Sequence, residues 1–508
     1  MIRHPSRRRF LQSAATAGVA LGLGEWSGLL PLGPATAADA EVPADLIRFG
    51  PELEPIVRRI EETPRARCPA LMIEELQRGL PYRQFLAALF LAGLRNRALG
   101  GHHVALLHSA NQLALDAPAA ERLLPAFWAL DSFKADLERR QPTPVLKALT
   151  GRLPSAGNAG EELEAAMAVQ DGDRAELAIV ALARTQEASR MIEPLWHHGA
   201  RDWVFIGHTA IWVANNWRTL QTVGWQHAEP VLRYLVREII DNARGVGKET
   251  YSASRERVKE SLGGLPADWG QGDGNPGLTR DLFALLRAMK GDEACRLAIA
   301  HLRDGKAKAG AVWDAVHLAA GEMVLDTTGG RARREGLHAN TVSEALHFAF
   351  RASGEPANRL FLLLQAVGWM GLFRSRIVPR FGGGILDAGE TVLDLTPAEI
   401  PDRPEAAAGR ILAARSANAR EAARQAFAFV QRFSDLDALR RAAARLLPLK
   451  ATDDPHDIKF PVAMFEKFAW VSPEWRPHLA AATVVSFAGS DRPDSPLMEQ
   501  VRDAAGKL

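Results

Sequence analysis

The chain reads as an all-α protein, a single large multi-helix array with a histidine-lined central cavity. Three observations predict this: apolar residues recur at three- and four-residue spacing almost everywhere, strand-like alternation is rare, and several histidines begin or sit inside strongly apolar helices. The elements follow in chain order. Ser6-Arg7-Arg8-Arg9-Phe10-Leu11-Gln12, the apolar run from Ser13 to Leu23 and the small residues Ala35-Thr36-Ala37 have the parts of a twin-arginine export signal. Its core is too short and too glycine-rich for a stable membrane span, which needs about 20 predominantly apolar residues. Cleavage is expected after Ala37, with Ala40 as the other candidate, so residues 1–37 are the signal and residues 38–508 the helical domain. The expectation is a periplasmic or secreted protein that meets the twin-arginine translocase during export.

Leu86, Leu89, Phe90 and Leu94 fit one apolar helix face, and Leu282, Leu285, Leu286 and Met289 another. Leu360 to Met370 is the greasiest stretch and is about half the length of a span. Only Ile385 to Leu395, between Gly382-Gly383-Gly384 and Pro397, invites a loop or a short extended segment. Glu405 to Leu447 is Ala/Arg-rich and helical with few interruptions. Glycine- and proline-rich joints at Leu153 to Gly157, Gly263 to Gly277, Gly329-Gly330 and Phe381 to Gly384 are short enough to connect packed helices. One internal echo pairs His103 and Asn111 with His208 and Asn216, each histidine eight positions before its asparagine; no fixed period follows from it.

Charge and cysteine content narrow the function. Removing four arginines and Glu25 with the signal from 62 basic and 60 acidic side chains leaves 58 and 59. A neutral chain has no basic excess to release counterions from a nucleic acid, so no nucleic-acid partner is expected, and no integral span after cleavage. Cys68 and Cys295 have no partners at metal-ligand spacing; a bridge between them and two buried free thiols both stay open.

Histidine carries the chemical signal. His102, His103, His108, His208, His317, His338 and His347 all lie in apolar helical segments, where neutral imidazole serves as ligand or proton carrier. At 100° per residue, Asn340, Glu344, His347 and Arg351 form one polar stripe; His208, Trp212, Asn215, Thr219 and Thr222 form another. Asp314/His317 and Glu344/His347 each set a carboxylate and an imidazole one turn apart, as paired helices of di-iron carboxylate bundles do, with Glu193, Glu229 and Glu322 as further candidate ligands. Ordinary carboxylate-to-histidine hydrogen bonding along a helix is the competing explanation. The sequence holds no P-loop, dinucleotide-binding turn, zinc-hydrolase pattern or serine elbow.

Several of these segments together resemble the questin oxidase-like family. Asp454-Pro455-His456-Asp457-Ile458-Lys459 with Glu466 is similar to its C-terminal Asp-x-His-x-x-Lys element, Leu337-His338-Ala339-Asn340-Thr341 to its histidine-led helix, and Gly207-His208 to its middle histidine helix. Gly101-His102-His103 corresponds to a fourth. Asn340-Thr341 and His347 depart from the pattern, where a threonine-glycine pair and an arginine-containing segment stand. The resemblance implies a helical shell around an apolar cavity and monooxygenase-like oxidative chemistry on a hydrophobic aromatic or polyketide-like small molecule. His102, His103, His208, His338, His347, His456 and Lys459 are the candidate catalytic residues, with Arg218 or Lys459 placed to stabilise an oxyanion. The resemblance implies a reaction that draws on NADPH, which has no obvious supply outside the cytoplasm, so the reductant does not carry over and the cofactor stays open, with iron or another metal as a candidate. Two further readings remain beside the oxidoreductase: a non-catalytic helical protein that binds a hydrophobic ligand, and a metal-carboxylate enzyme using Asp314, His317, Glu344 and His347.

Overall fold

A computed structural model describes residues 47–505, apart from 98–101, 140–145, 204–205, 244, 246, 273, 328–329 and 378–383. The twin-arginine segment lies outside the described residues. Among those described, 22 α-helices and a few 3-10 turns carry the chain, and no strand is present. They are α1 Glu54–Glu62, α2 Cys68–Gln77, α3 Tyr82–Arg95, α4 His102–Asp116, α5 Leu124–Arg139, α6 Ala159–Val169, α7 Gly172–Thr185 and α8 Ala188–Gly199; then α9 His208–Val223, α10 Ala228–Asp241, α11 Lys248–Ser261, α12 Pro276–Arg287, α13 Gly291–Arg303, α14 Ala309–Leu325 and α15 Gly330–Ala352; and finally α16 Pro356–Ile377, α17 Pro404–Ala417, α18 Ala419–Phe433, α19 Asp437–Lys450, α20 His456–Phe468, α21 Arg476–Val484 and α22 Pro496–Ala505.

The fold is organised by a ring of four helices in which α4 packs on α9, α9 on α15, α15 on α20, and α20 back on α4. Contacts across the ring keep the same order along every pair. His208 meets His338 where α9 and α15 begin their contact, and Arg218 meets Glu344 further along. His102 meets Lys459, and His108 meets Glu466. All four helices therefore run in one direction. Parallel neighbours cannot be joined by short loops, and the remaining helices supply the crossovers and cover the ring. On its outer side α15 is backed by α14 and α16.

The continuous apolar core reaches from Leu53 to Val501. The helix α16 explains why the Leu360 to Met370 run is so apolar. At 22 residues it is longer than that run and meets the length and composition of a membrane-crossing helix, yet 78% of its apolar window is buried inside the protein. Ile385 to Leu395 forms bends and a 3-10 turn, Val392–Asp394, instead of an extended segment. Glu405 to Leu447 resolves into α17, α18 and α19. The two cysteines are separate buried thiols, bonded to the carbonyls of Ile60 and Leu364, and burial pushes them up to about 11 and about 12.

Candidate metal centre

Three of the four ring helices begin at a histidine: α4 at His102, α9 at His208 and α20 at His456. The fourth histidine, His338, stands on the third turn of α15. The start of α9 requires Gly207, which has φ +84°; a Cβ there would lie 2.7 Å from Val342 and 3.2 Å from the Trp369 ring. Helix N-termini carry partial positive charge, which disfavours protonating an imidazole beside them.

The four rings meet through their Nε2 atoms. His102 to His208 is 3.2 Å, His208 to His338 3.1 Å, and His338 to His456 3.2 Å. His208, His338 and His456 are buried and His102 is half-buried. The outer nitrogens decide the tautomers. His338 Nδ1 is 2.8 Å from the Arg334 carbonyl, which can only accept, so the proton sits on Nδ1. His456 Nδ1 donates to Asp454 Oδ1 at 2.5 Å. Burial lowers His338 well below the usual histidine value, and burial with the Lys459 charge lowers His456 to about 4, so neither ring takes a second proton. Two bare Nε2 lone pairs are thus held 3.2 Å apart with no proton between them.

A cation shared by the two nitrogens would resolve that conflict. Tetrahedral bonds of about 2.0 Å place ligand nitrogens about 3.3 Å apart, and octahedral bonds of about 2.2 Å place adjacent ones about 3.1 Å apart. The three observed separations, 3.1 to 3.2 Å, fall within this range. One donor atom each from His102, His338 and His456 lies within 4.8 Å of the others. Asp454 and the Arg334 carbonyl are what a metal site requires behind its ligands, fixing ring orientation and raising donor strength.

Lys459 sits 2.6 Å from His102 Nδ1. An ammonium donates to Nδ1 and leaves the His102 proton on Nε2; a neutral amine accepts from Nδ1–H and frees Nε2. Burial lowers Lys459 to about 7, against the opposing pull of Asp454, which brings both forms within reach near neutral pH.

The other expected residues go elsewhere. His103 points 100° away from His102, bonds the Leu89 carbonyl at 2.8 Å, packs on Phe133 and occupies the space left by Gly93. The internal echo therefore paired the wrong neighbour, since His102 occupies the place that His208 has on α9. His347 bonds His317 at 2.8 Å and stacks on Trp313 at 4.3 Å. It stands nine residues from His338, about 13 Å along the helix. Asp314 accepts from the Ser472 amide and Glu344 pairs with Arg218, so the two helical pairs do not assemble as a four-ligand carboxylate set. Glu193 accepts from Ser353, Glu229 pairs with Arg184, and Glu322 with Arg287 and Arg374.

Deeper along the ring lies a charged layer that the sequence reading joined only in part. Arg218 contacts Glu344 and Glu466, His108 bonds Glu466 at 2.7 Å, and Lys467 bonds Asn340 Oδ1 at 2.7 Å. Burial raises Glu344 above the usual carboxylate range, while Arg218 and His108 outweigh burial to hold Glu466 below it. Asp454 was legible as part of the Asp-x-His-x-x-Lys element, but its role behind His456 was not. Two clefts, of about 470 and 210 Å³, are lined by residues that include Ile400, Arg410 and Gln431 in the first and Arg65, Trp128 and Asp453 in the second, and neither includes a residue of the imidazole cluster. Compared with known proteins, the chain matches no family model, no curated sequence and no solved structure.

Proposed function

We propose that the protein is a metal-dependent oxidoreductase whose divalent transition ion is held by His102, His208, His338 and His456. The carrying observation is the pair of bare Nε2 lone pairs on His338 and His456, 3.2 Å apart, each fixed by an acceptor behind its ring. An all-imidazole shell suits iron, copper, zinc or nickel more than magnesium or calcium. Four neutral ligands would leave a bound ion its full charge, and the chemistry it would supply is polarisation of an oxygen-containing partner. The substrate class remains the one implied by the family resemblance, a hydrophobic aromatic or polyketide-like molecule, oxidised without NADPH.

In this reading Asp454 and the Arg334 carbonyl orient His456 and His338, and Lys459 as a neutral amine accepts from His102 Nδ1–H, which would leave His102 Nε2 free to ligate an ion once the Lys459–His102 pair has released one proton to solvent. His347, His317 and Asp314 belong to the packed interior. The metal-carboxylate reading loses its ligand set, because Asp314 accepts from the Ser472 amide and Glu344 pairs with Arg218.

The test is elemental analysis and absorption spectroscopy on protein exported by its own pathway, repeated after chelation and on H338A. One iron or copper per chain, lost in H338A and required for oxidation of an anthraquinone-type probe, is expected. A metal-free protein that cannot be loaded with iron, copper, manganese or zinc would overturn the reading. A loaded protein inert toward such probes would leave a metal-binding protein and remove the enzyme.

A further inference from the structure

A second group of donors lies on other helices. Glu164 is on α6, and His197 and His198 form part of the last turn of α8. One carboxylate oxygen, Glu164 Oε2, is 3.1 Å from His198 Nε2 and 3.8 Å from His197 Nε2. One donor atom from each of the three residues lies within 4.8 Å of the other two. A hydrogen bond accounts for the shorter contact but not for the longer one. Consecutive residues on a helix project 100° apart, so both rings reach one carboxylate only by leaning together; their centroids are 4.0 Å apart. His198 is buried, His197 half-buried and Glu164 exposed, which closes the group on the protein side and opens it to water. The helix end at Gly199 adds the negative pole of α8. Arg255 and Arg201 act in the opposite sense on the group and lower its affinity for a cation.

We propose that Glu164, His197 and His198 form an accessory site for a divalent transition ion of the zinc and copper class, with two imidazoles and one carboxylate as ligands and the remaining positions filled by water. This site is independent of the ion at the central cluster. It also bears on that cluster through the backbone. Thr209 Oγ1 donates to the Gly199 carbonyl at 2.7 Å, and Gln365 donates to the Ala200 carbonyl at 2.9 Å. An ion tying α8 to α6 restrains the corner from which α9 and His208 emerge.

Zinc titrated calorimetrically into the full chain carrying H338A, which removes a central ligand, tests this. One zinc per chain is expected, bound at least tenfold more weakly when E164Q is added and lost with H197A/H198A. Glu164 is exposed, so E164Q reports on ligation without disturbing packing. In the chain with His338 intact, H197A/H198A should also lower the zinc stoichiometry by one. Unchanged zinc binding in E164Q and H197A/H198A, or no zinc on the H338A chain, would overturn the proposal.

Discussion

Replacing Asp454 by alanine is expected to weaken metal binding at the central cluster by about 10- to 100-fold, or about 1.4–2.7 kcal/mol. Asp454 Oδ1 accepts from His456 Nδ1 at 2.5 Å and from the His456 amide at 3.0 Å, so it sets both the ring's tautomer and the start of α20. Its side chain is 47% exposed, and solvent screening places the loss of charge alone toward the lower end of that range. D454N keeps an acceptor but no charge and should cost about tenfold, while D454A also frees the ring to turn. Losing the amide bond at the helix start adds about 1 kcal/mol of lost stability, which a urea titration separates from affinity. The assay is competition for the ion with a chromophoric chelator, on variants whose helical circular dichroism matches wild type. D454A that binds as tightly as wild type, while H456A does not, would refute the orienting role.

Three further outcomes follow from the same geometry. Burial lowers His102, His103, His317, His338, His347 and His456, so the unfolded chain takes up their protons first; this stability is full above about pH 6.5 and is lost as pH falls, by about 1.4 kcal/mol per pH unit for each ring. Urea midpoints of chelator-treated protein that do not fall between pH 7.5 and 5.5 would contradict it. H103A should cost about 2 kcal/mol through a cavity and an unbonded Leu89 carbonyl while leaving metal binding intact, the reverse of H338A; both are read by parallel urea and metal titrations. K467M strands the buried Asn340 oxygen and is expected to cost about 1–3 kcal/mol, and an unchanged urea midpoint would show that the oxygen finds another donor.

Much of the fold was legible because helix period is local. Leu282 and Leu286 advertise the buried face of α12 within two turns, whereas Leu285 is only partly buried and Met289, expected on the same face, lies beyond the helix end and is exposed. The candidate site was legible in part. His102, His208 and His456 stand at helix starts, which gave each a position, and the Asp-x-His-x-x-Lys spacing puts His456 and Lys459 one turn apart on one face. The Glu344/His347 pair misled for a physical reason. A helix packed on every side, as α15 is, gives residues three apart different neighbours, so Glu344 faces Arg218 while His347 faces Trp313 and His317. The doublet His197-His198 carried no periodic signal, and its partner Glu164 is 34 positions away.

By itself the sequence determined an all-helical chain, two cysteines without metal-ligand spacing, a nearly balanced charge and a set of histidine-led helices, whereas the structure decided that the cysteines are separate buried thiols. Only the tertiary structure decided that His102 and not His103 joins the cluster, and that rings 106, 130 and 118 positions apart share one point. The reason is that a helix states its own buried face through contacts between residues three and four apart. Which nitrogens converge depends on how far each helix is rotated and shifted along the ring axis. Packing against the other helices sets those two quantities.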